Sequence, residues 1–177
     1  MSNPTLRRAD ILRLTDMPAR PFDAMLMRGQ APWRRRDTGR NWGEFTTEDG
    51  YRVALVHALI RQGRSYDDAG RVVRAEFSSL LECNSAAPGD LLLGSFITEA
   101  SPDEEAGVRL HISFVATETE WFSELTRTRD LVAAGDELLG FSAVNATAVM
   151  RRTLAKADAA GLRDARLTKL AKKVRAL

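Results

Sequence analysis

Residues 8–29 read Arg8-Ala9-Asp10-Ile11-Leu12-Arg13-Leu14-Thr15-Asp16-Met17-Pro18-Ala19-Arg20-Pro21-Phe22-Asp23-Ala24-Met25-Leu26-Met27-Arg28-Gly29, and their punctuation decides how the N-terminal half folds. Ala9, Ile11, Leu12 and Leu14 recur at helical spacing and predict a first helix. Thr15-Asp16-Met17 breaks it, and Pro18 suits the first turn of a second helix, where a missing amide proton costs little. Pro21 still fits in that turn. Phe22, Met25 and Leu26 mark one buried face, and Gly29 stops the helix in a left-handed cap. Two helices joined by so short a turn predict a helix-turn-helix, whose second helix lies in the major groove of DNA.

After Pro32 the chain runs Trp33-Arg34-Arg35-Arg36-Asp37-Thr38-Gly39-Arg40-Asn41-Trp42-Gly43-Glu44-Phe45, a polar tip with a Thr-Gly turn signal between two tryptophans. This pattern predicts a wing. Arg34, Arg35, Arg36 and Arg40 could hold phosphates on either side of a groove, with Trp33, Trp42 and Phe45 anchoring the hairpin to the helices. Thr46 and Asp49 make a capping pair before the apolar series Val53, Val56, Leu59 and Ile60, so a third helix starts near Thr47. Gly63 stops it. Ser65 and Asp68 repeat the cap for a fourth helix carrying Tyr66, Ala69, Val72, Val73 and Phe77.

In order and spacing, residues 7–75 resemble the DNA-binding domain of the MerR family of winged-helix regulators. The matching pieces are Arg8 to Thr15, Phe22 to Gly29, Phe45-Thr46-Thr47-Glu48-Asp49, and Leu59-Ile60-Arg61-Gln62-Gly63-Arg64-Ser65-Tyr66. The resemblance implies that Pro18, Ala19, Arg20, Asp23 and Ala24 face DNA, that Arg34, Arg35, Arg36 and Arg40 occupy the first wing, and that Arg64 lies near the second. Asp23 and Ala24 depart from the basic and aromatic residues usual there, which leaves Arg20 as the candidate for a guanine contact. Typical members dimerise through a long helix directly after this domain. Heptad-like spacing is absent through residues 78–118, so pairing falls to the C-terminal half, either its strands or the helix around Val144, Val149, Met150 and Leu154.

Charge divides the chain the same way. Residues 1–74 hold 14 arginines, no lysine and 9 acids, a net of +5; residues 75–150 carry a net of −10 and residues 151–177 a net of +7. The formal +2 hides three blocks, of which the two basic ends could meet a polyanion. The chain's 177 residues and 44% hydrophobic content suffice for a real core. The N-terminus lacks an apolar run and no stretch approaches a membrane span, so no secretory signal and no membrane are expected, and a cytoplasmic setting fits. The single cysteine, Cys83, excludes an internal disulfide framework and reads as a packing or linker residue.

Cys83-Asn84-Ser85-Ala86-Ala87-Pro88-Gly89 is small and turn-forming, and it predicts a linker between a DNA-binding domain over residues 1–82 and a second domain over residues 90–177. There, residues 91–98 and the alternating Val108, Leu110, Ile112 and Phe114 predict strands joined by a hairpin loop at 101–107. A helix over 119–134, a third strand over 137–144 and helices over 145–160 and 165–176 complete an α+β reading: a winged helix-turn-helix, then a small strand-containing domain with C-terminal helices.

Each sharp reading has a plainer rival. His57 and His111 lack partners at ligand spacing and read as structural or surface residues; Glu104-Glu105 and Glu118 with Glu120 read as a loop tip and a helix start. The basic tail could touch DNA, a partner, or cover the acidic block. With no phosphate loop, metal-ligand cluster or activated nucleophile, neither an enzyme nor a cofactor is expected. The first expectation is a sequence-selective regulator of transcription, bacterial or phage, binding duplex DNA as a homodimer, with RNA polymerase or another DNA-acting protein as a further partner. Its alternatives are a DNA-architectural protein of a phage or mobile element, resembling excisionases or small terminase subunits, and a protein-interaction adaptor with weak, salt-driven DNA binding.

Overall fold

The computed structural model describes residues 6–33, 44–83, 89–99, 110–130 and 137–162. Within them the helices are α1 (Arg8–Thr15), α2 (Ala19–Met27), α3 (Thr47–Ile60), α4 (Tyr66–Cys83), α5 (Trp121–Asp130) and α6 (Ala146–Ala159). The strands are β1 (Leu91–Glu99), β2 (Leu110–Thr117) and β3 (Glu137–Asn145), so helices and one small antiparallel sheet make an α+β fold.

Helix α3 starts where its cap residues place it. The Thr46 backbone N–H donates to Asp49 Oδ2 at 2.8 Å, and the Asp49 N–H donates to Thr46 Oγ1 at 3.2 Å, which satisfies two otherwise orphaned donors. The helix then buries residues on nearly every side, including Tyr51, Val53, Leu55, Val56 and Leu59. It packs against α1, α4, α6 and β3. Gly50 keeps the α1 contact close, since a Cβ there would stand 3.4 Å from the Leu14 side chain and 3.5 Å from that of Ile11. The Ser65–Asp68 cap of α4 is formed as well, with the Asp68 N–H donating to Ser65 Oγ at 3.1 Å.

In the sheet, β1 is central and pairs antiparallel with β2 on one side and β3 on the other, giving the order β2-β1-β3. Alternation along β1 sends Leu91, Leu93 and Ser95 to one face and Gly94 and Phe96 to the other. Leu91, Leu93 and the cross-strand Val144 join the cluster that contains Phe22, Leu59 and Phe77 from the helices. The opposite face forms a separate small cluster, in which Phe96, Phe114 and Ala116 lie against Trp121 and Leu125 of α5.

One buried cluster thus runs from Leu6 through α1 to α4 and on to Leu91, Val144, Met150 and Ala157. The segments on either side of the expected linker at 83–89 share this core. The second strand continues past the expected alternation, since Val115, Ala116 and Thr117 pair with Leu93, Leu92 and Leu91. The expected helix at 119–134 is α5 at Trp121–Asp130, and Pro18 caps α2 from outside rather than opening it. The arginine-rich run at 34–43, the loop at 101–107 and the helix at 165–176 lie outside the described residues. Among the described residues, no helix is long and apolar enough to cross a membrane.

Gly94 is where the second cluster tolerates no side chain. A Cβ there would lie 2.6 Å from Phe114 Cζ and 2.9 Å from Trp121 Cη2, so Gly94→Ala should force both rings aside and cost about 1–3 kcal/mol, read as a lowered midpoint in chemical denaturation.

Candidate nucleic-acid interface

The turn between α1 and α2 is built from side chains that fold back on the backbone. Thr15 Oγ1 donates to Ile11 O at 2.9 Å and accepts the Met17 N–H at 3.3 Å. Asp16 adopts the left-handed region at φ 55°, and its N–H donates to Leu12 O at 3.1 Å. His57 Nδ1, from α3, lies 3.1 Å from Thr15 O, and Lys156 of α6 pairs with the Asp16 carboxylate. The next residue, Met17, is buried at 2% exposure, so the turn is pinned to the core before α2 begins.

Helix α2 divides cleanly into two faces. Phe22 and Met25 are buried, whereas Ala19, Arg20 and Met27 are exposed and Asp23 and Ala24 are half-exposed. Helical spacing joins Arg20, Asp23, Ala24 and Met27 into one outward stripe. Gly29, at φ 68°, ends the helix in the expected cap: the Gly29 N–H donates to Leu26 O and the Gln30 N–H to Met25 O, at 3.1 and 3.0 Å. Pro18 and Ala19 stand at the helix start, Pro18 as its N-cap.

Asp23 is not a free acid. Arg8 at the start of α1 donates from Nε to Asp23 Oδ1 at 2.7 Å and from Nη2 to Asp23 Oδ2 at 2.6 Å, a two-pronged fork. These bonds hold the Asp23 carboxyl below its ordinary pKa and raise that of the guanidinium, so both are ionised at neutral pH and their charges cancel.

Arg34, Arg35, Arg36 and Arg40 lie outside the described residues, but the residues on either side of their run are well fastened. Ala31 O accepts from Arg74 Nη2 at 3.0 Å, and Pro32 O accepts from Arg52 Nη1 at 3.1 Å. The Arg52 guanidinium also lies 3.8 Å above the Phe77 ring. On the far side, Phe45 pairs with Leu6 through reciprocal N–H···O bonds of 2.8 Å. Trp33 meets Phe45 edge-on at 6.1 Å, and Phe45 meets Phe22 of α2 at 5.7 Å. Trp33 and Phe45, the aromatic residues that flank the arginine-rich run, are thus in contact with each other, and Phe45 with α2 through Phe22.

Arg64 is placed differently from its expected position at a DNA-facing wing. It is only 8% exposed, with Nε donating to Ser142 Oγ at 2.7 Å and Nη2 to Ser95 O at 2.6 Å. Ser95 and Ser142 are cross-strand neighbours on the helix-facing side of the sheet, so this arginine ties the α3–α4 turn to β1 and β3. Burial lowers its pKa while nearby Asp68 raises it. The available sign was the pair of serines at inward positions of otherwise apolar strands, which call for a polar partner.

Sequence reasoning also missed Arg8, Arg52 and Arg74, whose hydrogen bonds join residues 15, 20 and 43 positions apart, and Gly70, which meets the distant Gln30. No spacing rule reaches so far. The chain matches no protein-family model and no curated protein.

Gly70 tests how residues 30–33 are seated. A Cβ there would lie 2.4 Å from Gln30 O, a backbone atom that cannot swing away. Gly70→Ala should displace residues 30–33 and lower stability by about 1–3 kcal/mol, visible as an earlier denaturation midpoint.

Proposed function

We propose that this chain is a duplex-DNA-binding regulator of transcription, with α1 and α2 as a helix-turn-helix and residues 34–43 as an arginine-rich wing. One observation carries the reading: Phe22, on the inner face of the helix whose outward stripe starts at Arg20, meets Phe45, which meets Trp33, and these two aromatics flank the run that holds Arg34, Arg35, Arg36 and Arg40. A helix held by its apolar face and flanked by clustered guanidinium groups suits the major groove and its adjoining phosphates. The resemblance to MerR-type winged helices supports the same arrangement.

In this reading Arg20 contacts a base, Ala24 and Met27 offer apolar surface to thymine methyl groups, and the wing arginines neutralise phosphates. Arg64 belongs to the internal frame. Two copies binding together would give the specificity that one small module lacks, and a homodimer is part of the proposal.

A second reading keeps DNA and drops sequence selection: an architectural protein that bends or presents the duplex. The make-up of the stripe favours it, because Arg20 is its one cation for reading bases and its one acid, Asp23, is committed to Arg8.

Selection of random duplexes at near-physiological salt, with sizing of the bound species, distinguishes the two. A regulator should enrich an inverted repeat, and Arg20→Ala should cost about 1–3 kcal/mol at one base position per half-site. Replacing Arg34, Arg35 and Arg36 together should weaken binding to every duplex and flatten its salt dependence by about one ion for each phosphate no longer neutralised. Binding without enrichment favours the architectural reading, and no binding at low salt sinks both.

A further inference from the structure

Asp23 poses a physical question. It lies on the stripe of α2 assigned to DNA, one helical turn from Arg20, where a carboxylate should repel a polyanion. Its fork with Arg8 is exposed on both sides, at 46% and 44% for the two side chains. Ion pairs this open to water contribute little to folding. The pair's geometry nevertheless fits a second purpose.

The carboxylate grips the Nε edge of the guanidinium, using Nε–H and one Nη2–H. Both Nη1 hydrogens and the remaining Nη2 hydrogen have no partner among the described residues, and one Nη1 hydrogen with that Nη2 hydrogen forms a second two-pronged edge that Asp23 leaves open. That second edge can receive an oxyanion while the first remains bound. An arginine on a long flexible stem loses conformational freedom when it takes a phosphate, and a carboxylate that already fixes the guanidinium plane removes part of that cost. Arg8 opens α1, the helix that crosses the backbone when α2 enters a groove.

We propose that Arg8 contacts a DNA backbone phosphate through its free Nη edge, and that Asp23 is the positioning residue that aims it. The proposal rests on the duplex-DNA reading above. It makes the acid on the DNA-facing helix an aid to binding.

The sign of one substitution separates positioning from bulk electrostatics. Removing a negative charge from a surface that meets DNA should tighten binding; removing the support of a phosphate-holding arginine should weaken it. The experiment measures affinity by fluorescence anisotropy for the full chain, Arg8→Ala, Asp23→Ala, Asp23→Asn and the double Arg8→Ala/Asp23→Ala variant. Each is tested on the selected duplex and an unrelated duplex over a salt series, with thermal unfolding as a check on folding.

Arg8→Ala should lose about tenfold in affinity on both duplexes and lower the salt slope by about one ion. Asp23→Ala should weaken binding despite its charge change, Asp23→Asn should fall between it and the parent, and Asp23→Ala should add no loss in the Arg8→Ala background. Tighter or unchanged binding by Asp23→Ala, or an Arg8→Ala variant with an unaltered salt slope, overturns the proposal while leaving the DNA reading intact. If Asp23→Ala does not fold, Asp23→Asn and Arg8→Ala decide the matter by the same criteria. A parent chain that binds neither duplex at low salt overturns the DNA reading and this proposal with it.

Discussion

The rest of the structure hangs on the burial of α3. Its apolar residues Val53, Leu55, Val56 and Leu59 are wholly shielded from solvent, and it is packed against α1, α4, α6 and the sheet. Burial so complete leaves polar atoms little choice. The Tyr51 hydroxyl must find a partner inside, and it donates to Ala146 O at 2.9 Å, while burial raises the phenol's pKa above its ordinary value. That bond joins the inner helix to the first residue of α6, across 95 positions of sequence. Asp49, 2% exposed, likewise commits its carboxylate to the cap of its own helix. Since α1 packs on α3 and α2 follows α1 by a pinned turn, the position of the outward stripe of α2 is set by what α3 buries.

Arginine content overstates the charge available to a ligand. Arg64 is engaged by Ser142 and Ser95, Arg74 by Ala31 O, and Arg71 by Asp67 and Asp68. Arg52 serves both Pro32 O and the Phe77 ring. These residues have a common logic: a guanidinium can satisfy a backbone carbonyl or carboxylate with one edge while its stem packs on apolar surface. The N-terminal block's net +5 is therefore partly structural in use. Arg20 and Arg28 are exposed on or just after α2.

Local chemistry was legible in the sequence, and distant chemistry was not. The caps at Thr46–Asp49 and Ser65–Asp68, the left-handed stops at Gly29 and Gly63, and the buried positions Phe22 and Met25 all follow from interactions within a turn or two of helix. The strand at 91–98 was legible as a short apolar run bounded by turn-forming residues. The core shared by the two halves was not, because a turn-forming run such as 84–88 looks alike whether it joins separate cores or leads back into the same one. Arg64 was misplaced for a related reason: a basic residue in a short turn is ordinarily solvated, and only the register that sets Ser95 beside Ser142 reveals a place for it inside. In the candidate interface, the outward face of α2 was readable from periodicity, but the fork that cancels Asp23 joins residues 15 apart on different helices.

The shared core changes what the C-terminal half does for the helix pair. Three contacts fix the α1–α2 turn: Thr15 bonds back to Ile11 O, His57 reaches Thr15 O from α3, and Lys156 pairs with Asp16 from α6. The last is exposed and weak by itself. It is seconded by burial, since Met150 and Ala157 of α6 belong to the same cluster as Ile11 and Leu14 of α1. On the sheet side, Arg64 binds the end of α3 to β1 and β3 through buried hydrogen bonds, which are costly to break because their polar atoms would be left dry and unpaired. A shift of the sheet or of α6 must then either open these bonds or carry α3 and the turn with it. The angle at which α2 is presented is for that reason a property of both halves of the chain.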